Sequence, residues 1–123
     1  MCANYKRNTE NNQQCAYNST PDISESSNVK ICRENNIDLI LVTAPVSNVQ
    51  FSRLRNYGAF HEAISAFAQS HGLPYLDFHM VNMEKNLFEN RHFFDAGHLN
   101  VTGVRIANEY FMEWYYENVQ SCI

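Results

Sequence analysis

Residues 37–43 read Ile37-Asp38-Leu39-Ile40-Leu41-Val42-Thr43, and this stretch indicates the fold class. After Asp38 it is continuously apolar, with several β-branched side chains, and does not alternate between apolar and polar residues. That pattern is typical of a strand that is buried on both faces of a parallel sheet. Pro45 ends the stretch, because proline has no N–H to donate to a ladder.

The segments around this strand alternate in type along the chain. A helix is predicted at about 24–34 and a second at 57–71, where Gly72 and Pro74 provide a stop. A short strand follows at 75–78, and a last helix, capped by Asn100, covers about 101–118. The order predicts an α/β domain with parallel strands and right-handed crossovers.

A sheet of only two strands is marginally stable, and a strand buried on both faces needs a neighbouring strand on each side. We therefore interpret residues 23–123 as the C-terminal part of a doubly wound domain whose upstream strands lie elsewhere. Residues 1–22 are rich in Asn, Gln, Ser and Thr. Such a segment buries too little apolar surface to offset its ordering entropy, so we expect a mobile polar tail.

Composition narrows the possible partners of this 123-residue chain. Nine basic and thirteen acidic residues give a net charge of −4, which argues against nucleic acid as a main partner. The sequence contains no signal peptide and no apolar run long enough to span a membrane, and its localisation stays open. Its four cysteines have no C-x-x-C spacing, and we expect free thiols rather than the two disulfides that an even count permits.

The most informative segment is Phe94-Asp95-Ala96-Gly97-His98-Leu99-Asn100, between the last strand and the last helix. Loops in this position carry ligand sites in open α/β sheets. The three-residue spacing lets the Asp95 carboxylate accept a hydrogen bond from Nδ1–H of His98, which leaves Nε2 free as a general base. The spacing alone also fits an Asp95 that caps a turn beside a surface histidine.

The stretch from Ile37 to about Tyr116 resembles the C-terminal half of an SGNH (GDSL-type) hydrolase, and especially the SGNH-like proteins of bacterial cell-envelope modification. The similarity includes Leu41-Val42-Thr43-Ala44-Pro45-Val46, His71-Gly72-Leu73-Pro74 and Tyr75-Leu76-Asp77-Phe78. Its most specific part is the final D-x-x-H block, which Asp95, His98, Asn100 and Gly103 match position by position. The resemblance implies part of a flavodoxin-like, three-layer fold and a serine esterase or acyl transferase.

The resemblance also implies catalytic roles: His98 would activate a serine, and Asp95 would orient His98. The family's serine lies in a G-D-S block, and this chain contains neither that block nor a G-x-N-D block. Ser47, just past the first strand, is the nearest candidate, but the family pattern places its nucleophile elsewhere. We therefore expect a truncated or split protein that is inactive alone, since a triad without its nucleophile loses nearly all its contribution to rate.

Other polar residues are assigned structural roles. His61 is predicted to be solvated on the polar side of its helix, and Asp77 to form hydrogen bonds in a loop. Asp77, His79, His92 and Asp95 could imitate a metal cluster, but no recognised ligand spacing links them, so we expect neither metal nor cofactor.

Two interpretations of the function remain. In the first, the chain is the Asp–His half of an esterase or transferase that acts on small-molecule or glycan acyl esters. In the second, it is a non-catalytic α/β module that associates with another copy, or with the missing N-terminal half, through its open sheet edge.

Overall fold

The computed structural model describes residues 23–120, which form a mixed α/β structure; the predicted tail at 1–22 lies outside this range. In chain order the elements are α1 (Ile23–Glu34), β1 (Leu41–Thr43), α2 (Asn48–Phe51), α3 (Tyr57–His71), β2 (Tyr75–Asp77), α4 (Phe78–Lys85), a 3₁₀ helix (Asn90–His92), β3 (Phe93–Asp95), β4 (His98–Leu99) and α5 (Val101–Asn118). Within these residues, no helix is long and apolar enough to cross a membrane.

The two predicted strands pair in parallel, as expected, with Leu41 opposite Tyr75 and Thr43 opposite Asp77. α3 connects them and ends at Gly72, whose positive φ of 64° is the left-handed conformation that glycine adopts without strain. The carboxyl ends of both strands therefore lie side by side, so the loop after Thr43 and the start of the helix after Asp77 lie at the edge that could carry a site.

The first strand is shorter and more exposed than the sequence predicts. Only Leu41–Thr43 joins the ladder, because its partner is itself three residues long and His71-Gly72-Leu73-Pro74 precedes it as a helix end and turn. The expectation of burial on both faces is wrong for the described residues, since Val42 is 46% exposed. Within 23–120, β1 has one strand neighbour, β2, and its other edge is unpaired.

Three local elements differ from the prediction. Residues 46–56, for which no element is predicted, contain α2, which Ser47 caps by accepting a hydrogen bond from the Gln50 N–H. Beyond the predicted second strand lies α4, which starts at once after β2 because Asp77 caps it. The segment before α5 is a small antiparallel ladder of β3 and β4.

The core cluster is small and joins the second strand to the helices that follow it. Leu76, Phe78 and Phe88 form its buried centre. Phe78 is in van der Waals contact with Phe88 and Tyr110, with ring centroids 5.9 and 6.0 Å apart. β2, α4 and α5 are therefore held together mainly by apolar packing around Phe78.

The start of α5 is fixed by Asn100 and Gly103. Asn100 Oδ1 accepts a hydrogen bond from the Gly103 N–H at 3.0 Å, as the predicted cap should, and Asn100 Nδ2 donates to the Arg91 carbonyl at 2.7 Å. A Cβ on Gly103 would lie 2.2 Å from the His92 carbonyl oxygen and 2.7 Å from Leu99 Cδ2. The absence of a side chain at 103 thus lets α5 pack directly on the backbone of the 3₁₀ helix.

We expect Gly103→Ala to lower the free energy of unfolding by about 1–3 kcal/mol, because the new methyl group must displace backbone atoms. Urea unfolding followed by circular dichroism measures the change. Gly58→Ala is the matched control: a Cβ there meets nothing within 4 Å. Since alanine favours the helix, the control should be stabilised by up to about 1 kcal/mol. Equal unfolding midpoints for the two variants would contradict the close approach at Gly103.

Candidate functional site

The predicted pair, Asp95 and His98, faces each other across the β3–β4 turn. The two residues occupy opposite positions in the ladder, with Ala96 and Gly97 between them. Asp95 Oδ1 accepts the Gly97 N–H at 2.9 Å and lies 2.7 Å from His98 Nδ1. The local turn therefore brings the carboxylate and the imidazole together, as their spacing predicts.

The protonation of this pair follows from its hydrogen bonds. The hydrogen bond from His98 and the Gly97 N–H hold the pKa of the Asp95 carboxyl below its ordinary value, so it is ionised at neutral pH. A carboxylate can only accept, so His98 Nδ1 carries the proton. In the neutral imidazole Nε2 is then an unprotonated base. It is open to solvent, since the His98 side chain is 79% exposed.

The turn is anchored beside the loop that follows β1. The Ala96 carbonyl accepts the Ser47 N–H at 3.0 Å, and Ser47 itself is buried. This places the Asp95–His98 turn against the loop beyond the carboxyl end of β1, where open α/β sheets carry their ligand sites.

Ser47 follows β1 and caps α2. Its backbone contact with Ala96 places it beside the Asp95–His98 turn, although the family pattern places the nucleophile elsewhere. Its hydroxyl serves as the helix cap, with Oγ 3.3 Å from the Gln50 N–H. In the described part of the chain the hydroxyl makes no hydrogen bond to His98, and its capping role explains its burial.

A second acidic centre, which the sequence interpretation missed, surrounds Asp77. Its Oδ2 accepts hydrogen bonds from the hydroxyls of Tyr57 and Tyr75, the latter at 3.2 Å, and from Nδ1 of His61 at 2.7 Å. Its Oδ1 accepts the backbone N–H of His79 at 2.8 Å. The Asp77 side chain is only 2% exposed, so these donors replace the water it loses.

Burial alone would raise the pKa of the Asp77 carboxyl, but the hydrogen bonds from Tyr57, His61 and the α4 backbone outweigh it and keep that pKa below its ordinary value. The same burial, with the neighbouring carboxylate, raises the pKa of Tyr57. It also raises the pKa of Tyr75. Asp77 is therefore an ionised carboxylate among neutral phenols at neutral pH.

His61 is not the solvated residue that its place on a polar helix face predicts. Its side chain is 27% exposed, and its Nδ1 lies 2.7 Å from Oδ2 of Asp77. Its Nε2 lies 3.4 Å from Oγ of Ser65, one helical turn further along α3. The i, i+4 spacing of His61 and Ser65 is visible in the sequence, but their meeting with Asp77 depends on how α3 crosses β2.

Two further histidines, His79 and His92, have structural surroundings. His79 is buried, with its ring centroid 4.9 Å from that of Phe51 and 5.1 Å from that of Tyr57. His92 is also buried, and its Nδ1 accepts the Glu89 N–H at 3.0 Å. Across residues 23–120, no three His, Cys, Asp or Glu side chains are grouped so that they could hold a metal ion.

Comparison of the chain with protein-family models, with curated proteins and with solved structures finds no match. The SGNH resemblance therefore remains a prediction that depends on the residues quoted above.

We expect the stability of the fold to fall as the pH drops below about 6.5, the ordinary pKa of histidine. Burial lowers the pKa of His79, so the unfolded chain takes up a proton at a pH where the folded chain does not. Urea midpoints at about pH 7 and pH 5 measure this loss. His79→Phe keeps the ring packing and should reduce the loss, whereas the same loss in this variant would exclude His79 as a cause.

Proposed function

We propose that residues 37–116 form the Asp–His half of an SGNH-type serine esterase or acyl transferase, within a flavodoxin-like, three-layer arrangement. The 2.7 Å hydrogen bond between Asp95 and Nδ1 of His98 carries this proposal, because it leaves Nε2 unprotonated and accessible. The position of the pair, beside the loop after β1, supports the same assignment.

In this function His98 is the general base and Asp95 fixes its tautomer. Nε2 of His98 takes the proton from a serine hydroxyl as the oxygen attacks the carbonyl carbon of an acyl ester, and then returns the proton to the leaving alcohol. The serine of a G-D-S block must come from a segment outside this sequence. The substrate class is a small-molecule or glycan acyl ester, and the Asp95–His98 site alone should give no efficient hydrolysis.

The exposed apolar surface is consistent with such a covering segment. Phe94, next to Asp95, is 81% exposed, and within residues 23–120 β1 has an unpaired edge beside the exposed Val42. An upstream parallel strand that pairs with β1 would cover this edge and bring the end of its own strand to the same side of the sheet.

The test is fluorophosphonate labelling of the protein isolated from its source with an affinity tag after Ile123, followed by peptide mapping. We expect the probe to modify a serine in a G-D-S sequence, on the same polypeptide or on a stably bound chain. Loss of the general base in His98→Ala should slow this labelling by about 100-fold or more.

The matched control is Glu113→Ala, which removes an exposed side chain of α5 outside the proposed site and should leave labelling of the G-D-S serine unchanged. Equal labelling of that serine in the parent and in His98→Ala would contradict the proposal. So would the absence of a labelled G-D-S serine in protein that circular dichroism shows to be folded.

The edge of β1 that has no strand partner among the described residues also favours the second candidate, a non-catalytic module that associates through this edge. Here the partner is a second copy of the chain. Size-exclusion chromatography with light scattering should then give a dimer that Val42→Lys weakens, because a charge on an edge strand opposes pairing. A well-folded monomer at all concentrations would exclude this candidate.

A further inference from the structure

On α3 and β2, a serine and a carboxylate both lie within contact distance of one histidine, separate in sequence from Asp95 and His98. Ser65 Oγ is 3.4 Å from His61 Nε2, and His61 Nδ1 is 2.7 Å from Asp77 Oδ2. The order of the groups is that of a nucleophile, a base and an orienting acid. The distance at Ser65 is long, but such hydrogen bonds are often loose without substrate and tighten when it binds.

The direction of each hydrogen bond is fixed by Asp77. The buried carboxylate only accepts, so Nδ1 of His61 must donate to it. Nε2 of the neutral imidazole is then an acceptor, and the Ser65 hydroxyl is the donor that faces it. Asp77 is itself held by Tyr57, Tyr75 and the start of α4, so the imidazole is oriented by a rigid group.

The same three residues line a cavity of about 480 Å³, a size within the range of small-molecule sites. Its walls come from α3, the turn before β2, β2 itself, α4 and α5. They combine apolar side chains, among them Leu73, Leu76, Val81 and Trp114, with about as much polar surface. Among residues 23–120, no lysine or arginine lines it, and Asp77 is its one acid. The cavity therefore suits an uncharged ligand with an apolar group and not a phosphate or a free carboxylate.

We infer that Ser65, His61 and Asp77 form a second, self-contained nucleophilic site that takes neutral carboxylic esters with a short apolar acyl group. Ser65 Oγ bonds to the carbonyl carbon while its proton passes to Nε2 of His61. The bond to the alcohol oxygen then breaks, and the alcohol leaves with that proton. Water, deprotonated by His61, releases the acid and restores Ser65. Gln69, one turn beyond Ser65 and also on the cavity wall, supplies an amide N–H for the oxyanion.

The test is intact-mass analysis of the 123-residue chain after treatment with a small alkyl fluorophosphonate. The Ser65 oxygen should bond to phosphorus, fluoride should leave, and His61 should take the proton, which gives one adduct that peptide mapping places on Ser65. Ser65→Ala, which favours the helix, should abolish the adduct, and His61→Ala should slow its formation by about 100-fold or more. Ser70→Ala, on the same helix, is the matched control and should be labelled at the parent rate.

The His98→Ala variant separates this site from the proposed Asp95–His98 site. Labelling of Ser65 should not change in it, whereas labelling that falls with His98 would overturn the inference. No adduct on the folded chain, or an adduct on another serine, would overturn it as well. If His61→Ala does not fold, Ser65→Cys replaces it, and its alkylation by iodoacetamide at neutral pH should be at least about tenfold faster than that of a Ser52→Cys variant, whose parent hydroxyl is exposed and bonded to the Val49 carbonyl. Equal rates for the two thiols would contradict the base role of His61.

Discussion

The burial of the Asp77 carboxylate is the constraint on which this structure depends. A charge with a 2% exposed side chain is tolerated only if donors replace its water, and here they come from α3, from β2 itself and from the first turn of α4. The crossover helix, the second strand and the helix after it are thereby held in one arrangement. Because Asp77 pairs with Thr43, the same carboxylate also marks the end of the sheet at which the loops meet.

The two acid–histidine pairs differ in their surroundings, and this difference separates their proposed roles. Asp95 and His98 lie on a turn, and within the described residues their side chains are largely open to solvent. Chemistry there therefore needs a covering segment that excludes water. Asp77 and His61 lie against a cavity whose walls, part apolar and part polar, belong to this chain. One pair therefore suits a site shared with another segment, and the other suits a site that is complete.

The sequence predicts what depends on neighbouring residues. The Asp95–His98 contact, the Asn100 cap and the end of α3 at Gly72 each involve groups within about one turn, and the parallel pair follows from its apolar strands and crossover helix. The contact of His61 with Asp77 joins residues sixteen apart through tertiary packing, which no periodicity encodes. The exposure of Val42 could not be predicted for a similar reason. An apolar run shows that a strand is suited to burial on both faces, but it does not show that neighbouring elements are present to bury it.

The central claim is that two imidazoles of this chain donate Nδ1–H to carboxylates and present an unprotonated Nε2. Long-range ¹H–¹⁵N correlation spectra of the ¹⁵N-labelled chain, above the titration of histidine, report the tautomer of each ring directly. We expect His61 and His98 to carry their proton on Nδ1, in contrast to His92, whose Nδ1 accepts the Glu89 N–H. Protonation of Nε2 in His98 would contradict the proposed esterase half-site, and in His61 it would contradict the second site.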